Sequence, residues 1–593
     1  MFLDKPHCVQ DPGIRPSSTP GGGRVTVCSY RSGSPREAAD PVTQGTGSKL
    51  RHCLEMLSPL LSLLLSPLPL ALLLLVLLLL PLAMLSSLWP EGARPSWLSG
   101  LQYWGAQEAL GRAAAWQQQK LEQSTRLASQ SQQQALERCL QGASGSRGSL
   151  PESTDLNTFR KHLPLSKPGQ AQADESGGQH LPPSSEQRSG EASLQATLLG
   201  LAALHKAFPE VLAPGSRAQV TPSSPWLHPL PWPCQVLAPC RARDPQVLLL
   251  EALRSPGLRA LEAGTATELL DVFSGLEADG DMLAEALATG TAGTPLPGRA
   301  AELRAALEHG PRGLALRLWP RLQVVVTLDA GGQAEAVSAL EALWCRGLAF
   351  FSPAYAAAGG VLGLSLWPEQ PRGLYLLPPG APVIELLPVQ RGAQDETTAP
   401  VLLAEAQEGQ EYELVLTDHT GLTRCRLGDV VLVTGAYNQC PIVRFMGRLG
   451  QALSVRGEDV SEDTFSAALD QALKQWPGAK LLDHGCVESS ILDSSQGSAP
   501  HYEVFVELRG LRNLSEENRD KLDHCLQEAW PRYKSLRAWG SVGPARVHLV
   551  GPGAFGALRK ALRACPESPF PPEMPRVLRF PGLAQVLQRR VLS

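Results

Sequence analysis

Residues 57–88 carry no charged side chain, and 70–80 is an unbroken run of Leu, Ala and Val. Nothing else in the chain restricts folding as strongly. At about 1.5 Å rise per residue, roughly 20 residues cross the hydrocarbon core of a bilayer, so this segment is long enough. A buried soluble helix can be apolar on all sides, but so dense a leucine run favours lipid. Pro59, Pro67, Pro69 and Pro81 interrupt it and leave 69–89 as the clean span. Arg36, Lys49 and Arg51 precede the segment, whereas only Arg94 follows closely. The positive-inside bias therefore predicts a cytosolic N-terminus and a lumenal bulk. Met56 stands just before the run, where a start would resemble a signal sequence, and Ala83, Ser86 and Ser87 could serve a peptidase. Both a cleaved signal and a retained membrane anchor stay open. The expected location is the endoplasmic reticulum, lumenal or membrane-anchored, with onward passage to secretory compartments open. Asn513-Leu514-Ser515 is a glycosylation sequon, usable only on the lumenal side.

Several function classes fall away on composition. The formal net charge of −4 over 593 residues offers no basic excess to hold a phosphate backbone, which argues against nucleic-acid binding. With 43 % hydrophobic and 19 % charged residues, the chain is not wholly disordered. Its 12 cysteines include no CxxC pair, so neither a zinc site nor a dense disulfide framework reads from their spacing. Neither a G-x-S-x-G elbow nor an HExxH motif occurs.

Along the chain, 1–55 reads as a flexible tail of Pro, Ser, Gly and mixed charge, and 57–88 as the signal or anchor. A Gln- and Ala-rich helical stretch occupies 104–140, and 141–193 reads as a long surface loop. Residues 194–208 and 246–287 are apolar at helical spacing. A β-α-β unit follows, with a strand at 322–328 (LQVVVTL), a turn at Ala330-Gly331-Gly332, a helix over 334–344 and a strand at 348–352. Short strands are expected at 383–387, 401–404, 412–417 and 430–434. Beyond Gly450, Asp459 or Ser461 can cap a helix reaching Trp476, 501–508 alternates as a strand, Ser515 caps a helix reaching Trp530, and 547–550 is another strand. The expected fold class is α/β: a large mixed α/β domain over 100–450 and a smaller α+β domain over 451–593, preceded by one hydrophobic segment.

Three stretches together carry a family resemblance. The first joins Leu318-Trp319-Pro320 and Val324-Val325-Val326 to the loop 351–363 (FSPAYAAAGGVLG). The second is 383–388 (VIELLP). The third and most specific lies within 411–448 and contains YELVLT, then GLTRCRLGDVV, then Val443-Arg444-Phe445. Fainter echoes are 159–165 (FRKHLPL) and Gly553-Ala554-Phe555. Over roughly 100–593 the chain resembles the GH-three family of auxin-responsive acyl-acid amido synthetases, which are adenylate-forming enzymes. The resemblance implies an adenylate-forming large domain and a small domain that rotates between two half-reactions. It also implies ATP and magnesium as cofactors, and a carboxylic acid and an amino acid as substrates. Protein partners are left unspecified.

Residue by residue, the resemblance makes Asp429 the carboxylate that accepts the ribose hydroxyls, Arg448 the hinge-side arginine on the same sugar, and Tyr355 the loop tyrosine beside the adenine. Bland readings remain for each: a turn residue, a solvated hinge charge, a packed core ring. The departures all touch the phosphates. Where the family loop carries Ser-Glu, this chain has Ala358-Gly359, and Gly359 has no side-chain oxygen for a hard cation. The segment 184–190 (SSEQRSG) lacks the family's Thr/Ser/Gly phosphate loop. Glu573 replaces the catalytic lysine in 572–576 (PEMPR), reversing the charge aimed at the phosphates. Removing preorganised charge stabilisation costs about 10²–10³ in rate per group. Two functions follow: an ATP-dependent acid–amino acid ligase, or a catalytically degenerate homologue that binds a ligand or partner.

Overall fold

The structure is a computed structural model that describes residues 96–143, 159–160, 163, 165, 190–213, 215–222, 244–290, 293–357, 360–368, 371–380, 382–389, 399–417, 424–449, 451–492, 498–511, 513–563 and 574–592. The apolar run 57–88, Gly359, Glu573 and the segment 184–189 lie outside these residues. Among the described residues, no helix is long and apolar enough to cross a membrane.

The strands fall into three sheets. A parallel sheet runs in the order β1 (Arg217–Gln219), β2 (Ala260–Thr265), β3 (Val324–Leu328), β4 (Ala349–Phe351). The β-α-β unit appears where the apolar pattern puts it: helix Ala334–Ala342 connects β3 to β4. The expected helical stretch 246–287 is divided, however. Helix Pro245–Arg254 ends, β2 follows, and helix Ala266–Ala278 begins at once with Thr265 accepting from the Glu268 N–H. Both faces of β2 carry buried residues, so its short sequence lacks the alternation that marks a half-exposed strand. The helices pack on this sheet around Leu269, Phe273, Trp319, Val325, Leu340 and Trp344.

The second sheet is antiparallel, in the order β5 (Ala354–Ala357), β6 (Gly360–Leu364), β7 (Leu374–Leu376), β11 (Cys440–Arg448), β10 (Arg424–Tyr437), β9 (Glu411–Thr417), β8 (Val383–Pro388). One core, including Tyr355 of β5, Tyr375 of β7, Val431 of β10 and Leu386 of β8, unites residues from one edge strand to the other. A sheet this wide does that only by curling. Register shifts at Tyr355/Ala356, Arg426/Val430, Val430/Val431 and Val433/Gly435 mark where it bends. The strand expected at 401–404 is instead a single bridge from Val401 to Leu386, followed by the 3-10 turn Leu403–Glu405.

The third sheet joins β12 (Lys480–Glu488), β13 (Tyr502–Arg509) and β14 (Arg546–Val550), covered by helices Glu462–Lys474 and Glu516–Ala529. Ser461 caps the first helix through the Thr464 N–H. Ser515 precedes the second without a side-chain cap bond. This C-terminal portion meets the parallel-sheet layer through ion pairs. Arg559 bridges Asp271 of one and Asp483 of the other, Arg576 bridges Glu335 and Asp483, and Arg509 pairs with Glu277 while lying over the Trp344 ring.

Candidate functional site

The most specific sequence stretch is largely a scaffold. Arg424 is buried and grips Glu385 of β8 with two bonds of 2.8 and 2.9 Å, while its third nitrogen reaches the carbonyls of Arg160 and Leu163. Arg160 adds a further contact to Glu385 at 2.9 Å. One ion cluster thus ties the 159–165, VIELLP and GLTRCR stretches to each other. Arg426 similarly pairs with Glu413 of YELVLT at 2.9 Å. Gly428 has φ +86°, and a Cβ there would stand 3.2 Å from the Leu449 carbonyl oxygen. Only glycine fits that close approach at a positive φ.

The irregularity of β10 at Gly428 sets Asp429, whose side chain sees no solvent, opposite Arg448 on β11. Arg448 Nε donates to Asp429 Oδ1 at 2.5 Å, and the Tyr355 hydroxyl donates to Oδ2. All three residues expected at a nucleotide therefore converge, but on one another. Tyr355 is itself buried, its ring packed 5.7 Å from Tyr375 and 6.3 Å from Phe445. Burial, and then the Asp429 charge, push its phenol up, so it stays protonated. Burial works against the Arg448 charge, but the Asp429 carboxylate outweighs it and the guanidinium is held up. The Arg448 backbone N–H donates to Glu462 Oε2 at 3.3 Å, carrying the cluster to the first C-terminal helix.

A second carboxylate lies alongside. Asp329, at the carboxyl end of β3, accepts from the Tyr375 hydroxyl at 2.7 Å and from the Gly331 N–H at 2.9 Å. Burial pushes its carboxyl up, and the Asp429 charge adds to that against these two donors. Backbone bonds at Asp329 to Ala354 and Ala356 stitch the parallel sheet to β5. Asp329 and Tyr375 escaped the sequence reading. A signal for Asp329 exists: it directly follows LQVVVTL, and the carboxyl ends of parallel strands are where α/β sheets place ligands. Tyr375 has no comparable signal, because its strand is three residues long.

In the first turn of helix Ala334–Ala342, Glu335 accepts from Ser466 at 2.7 Å and Arg576 at 3.0 Å, and His484 Nδ1 lies 3.1 Å away. Burial alone would raise this carboxyl, but the His484 and Arg576 charges hold it well below the usual range. Arg576, the last residue of the PEMPR stretch, is committed here and to Asp483. Among the described residues, no three His, Cys, Asp or Glu side chains are grouped to hold a metal ion.

A chain with a four-stranded parallel layer, a curled antiparallel sheet and a small α+β portion has the mixed α/β fold of the acyl acid amido synthetases. Superposition on the solved GH3.15 acyl acid amido synthetase gives a TM-score of 0.66, covering 80 % of this chain and 96 % of that one at 21 % sequence identity. The models for the vertebrate GH3 N-terminal domain, the GH3 central domain and the GH3 C-terminal domain match residues 276–341, 375–448 and 463–566. The GH3 domain-containing protein of Homo sapiens is 72 % identical over 515 residues, which is 86 % of this chain and 97 % of that protein. The indole-3-acetic acid-amido synthetase GH3.8 of Oryza sativa subsp. indica is 31 % identical over 313 residues, 50 % of this chain and 51 % of that protein. The chain belongs to the GH3 family.

Proposed function

We propose that this chain is an acid–amino acid ligase-like protein whose nucleotide site is built on Asp429, Arg448 and Tyr355. The carrying observation is the convergence of these three side chains beside the carboxyl end of β3. Asp429 is acceptor-only when ionised, and so suits sugar hydroxyls. Arg448 supplies a countercharge beside it, and Tyr355 offers a ring. ATP, when bound, would supply the adenylyl group that activates a carboxylic acid for transfer to an amine. The plant relative named for amide formation on indole-3-acetic acid supports this class of substrate.

The degenerate reading has its own support. Gly359 offers no side-chain oxygen to magnesium, Glu573 carries the wrong sign, and Arg576 is held in structural ion pairs. ATP–pyrophosphate exchange with a panel of carboxylic acids separates the two. Acid-dependent exchange that disappears in Asp429→Ala makes the chain a ligase. Silence with retained AMP binding makes it a ligand-binding homologue. The proposed lumenal placement rests on the run 57–88 and on Asn513, which is exposed in the loop before helix Glu516–Ala529. Protease protection in microsomes, with an endoglycosidase mobility shift lost in Asn513→Gln, is the expected result; digestion of the folded portion from the cytosolic side would refute it.

A further inference from the structure

We propose that Tyr355 is a built-in competitor for Asp429: its phenol holds the acceptor face that an incoming sugar hydroxyl needs, and a nucleoside places its sugar hydroxyls on Asp429 only once that contact opens. This rests on the reading of Asp429 as the ribose acceptor. A phenol and a sugar hydroxyl are both neutral O–H donors; each carboxylate oxygen has two lone pairs, and with Asp429 sealed from solvent beneath the Tyr355 contact a sugar hydroxyl reaches them only when the phenol moves away. In the structure Oδ2 is taken by Tyr355 and Oδ1 by Arg448, and neither Asp429 nor Tyr355 is open to solvent. The binding-competent state is thus not the one seen, and ligand affinity is lowered by the fraction of molecules in which the contact is closed.

The arrangement explains a feature that adenine packing alone does not. A ring that served only as an apolar platform would leave its hydroxyl toward solvent, as a buried phenol needs a partner. Here the hydroxyl is spent on the carboxylate the nucleotide is expected to use. The contact lies at the register shift Tyr355/Ala356 in the last strand of its sheet, whose outer side is held by the Asp329 backbone bonds to Ala354 and Ala356. Arg448 remains on Oδ1, so Asp429 keeps its countercharge when the phenol leaves.

Equilibrium binding of AMP and of 2′,3′-dideoxy-AMP to the purified full-length chain tests this. Tyr355→Phe keeps the ring and removes only the competing hydroxyl. It should bind AMP about 10-fold tighter than the wild type, the share of affinity one charge-assisted hydrogen bond withholds. The gain should vanish with the dideoxy nucleotide, which offers Asp429 nothing. Equal or weaker AMP binding by Tyr355→Phe overturns the competitor while leaving the ribose reading intact, provided Asp429→Asn still weakens AMP. Failure of the wild type and of Tyr355→Phe to bind AMP at all overturns both. Should the variant not fold, the wild type reports through its ¹³Cζ-labelled tyrosines: one signal should shift on saturation with AMP but not with dideoxy-AMP, and an unchanged spectrum rejects the competitor.

Discussion

Gly331 turns the chain from β3 into helix Ala334–Ala342 at φ +81°, and a Cβ there would lie 2.8 Å from the Phe445 ring. Its N–H is one of the two donors on Asp329. Gly331→Ala should therefore destabilise the fold by about 1–3 kcal/mol, from left-handed strain and the displaced ring. Urea unfolding measures it, and the loss should disappear in part when Phe445→Leu is added. Glu507 gives a pH-dependent counterpart. It accepts from the Gly553 and Phe555 N–H groups at the start of helix Ala554–Arg563, and burial pushes its carboxyl up to about 7 despite them. Because the folded state holds this proton more tightly than the unfolded chain, the stabilisation is complete below about pH 4.5 and is lost as pH rises through 7. Relative to Glu507→Gln, wild-type unfolding free energy should fall by about 3 kcal/mol across that window. A flat difference would remove Glu507 as the cause. Gly553-Ala554-Phe555, visible in the sequence only as a faint family echo, thus has a structural use in binding this carboxylate.

Among elements, the curled sheet depends on charges that the sequence displays but does not pair. Arg424, Glu385 and Arg160 come from three distant stretches, and each alone could pass for a surface residue. The structure buries Glu385 and Arg424 together. Removing one partner leaves an uncompensated buried charge, so Arg424→Met should cost about 3–5 kcal/mol. Arg424→Met with Glu385→Leu should recover part of that loss, as a double-mutant cycle in urea would show. Strands β9 and β13 and the 430–434 part of β10 were legible from their apolar runs, whereas the first half of β10 and the nine-residue strands β11 and β12, interrupted by charged and polar residues, were not expected. Strands β5, β6 and β7 were not, being short and carrying buried residues on both faces. Helix Pro245–Arg254 and helix Ala266–Ala278 merged into one expected stretch because β2 shares their apolar composition.

For the whole molecule, the family resemblance implies a rotating small domain, and the structure shows what rotation would have to open. Arg559–Asp271 at 2.7 Å, Arg576–Glu335 at 3.0 Å and Arg509–Glu277 at 2.9 Å all cross from the C-terminal portion to the parallel-sheet layer. Leu482 of β12 is buried in the core of that layer as well. Asp271→Asn combined with Glu335→Gln leaves two buried guanidinium groups short of charge. It should lower the coupling between the portions by about 2–4 kcal/mol and divide one urea transition into two. A single shifted transition would mean that apolar packing, rather than these pairs, joins them.

Local patterns sufficed for the family and for the β-α-β unit, and they singled out Asp429, Arg448 and Tyr355 as candidates, because apolar runs, turn glycines and motif spacing are written in neighbouring positions. Which carboxylate each arginine meets, how far the antiparallel sheet curls, and that Tyr355 closes on Asp429 are contacts between residues tens to hundreds of positions apart. Burial and complementary charge settle those contacts when the chain packs, and neighbouring positions alone do not say which partners meet.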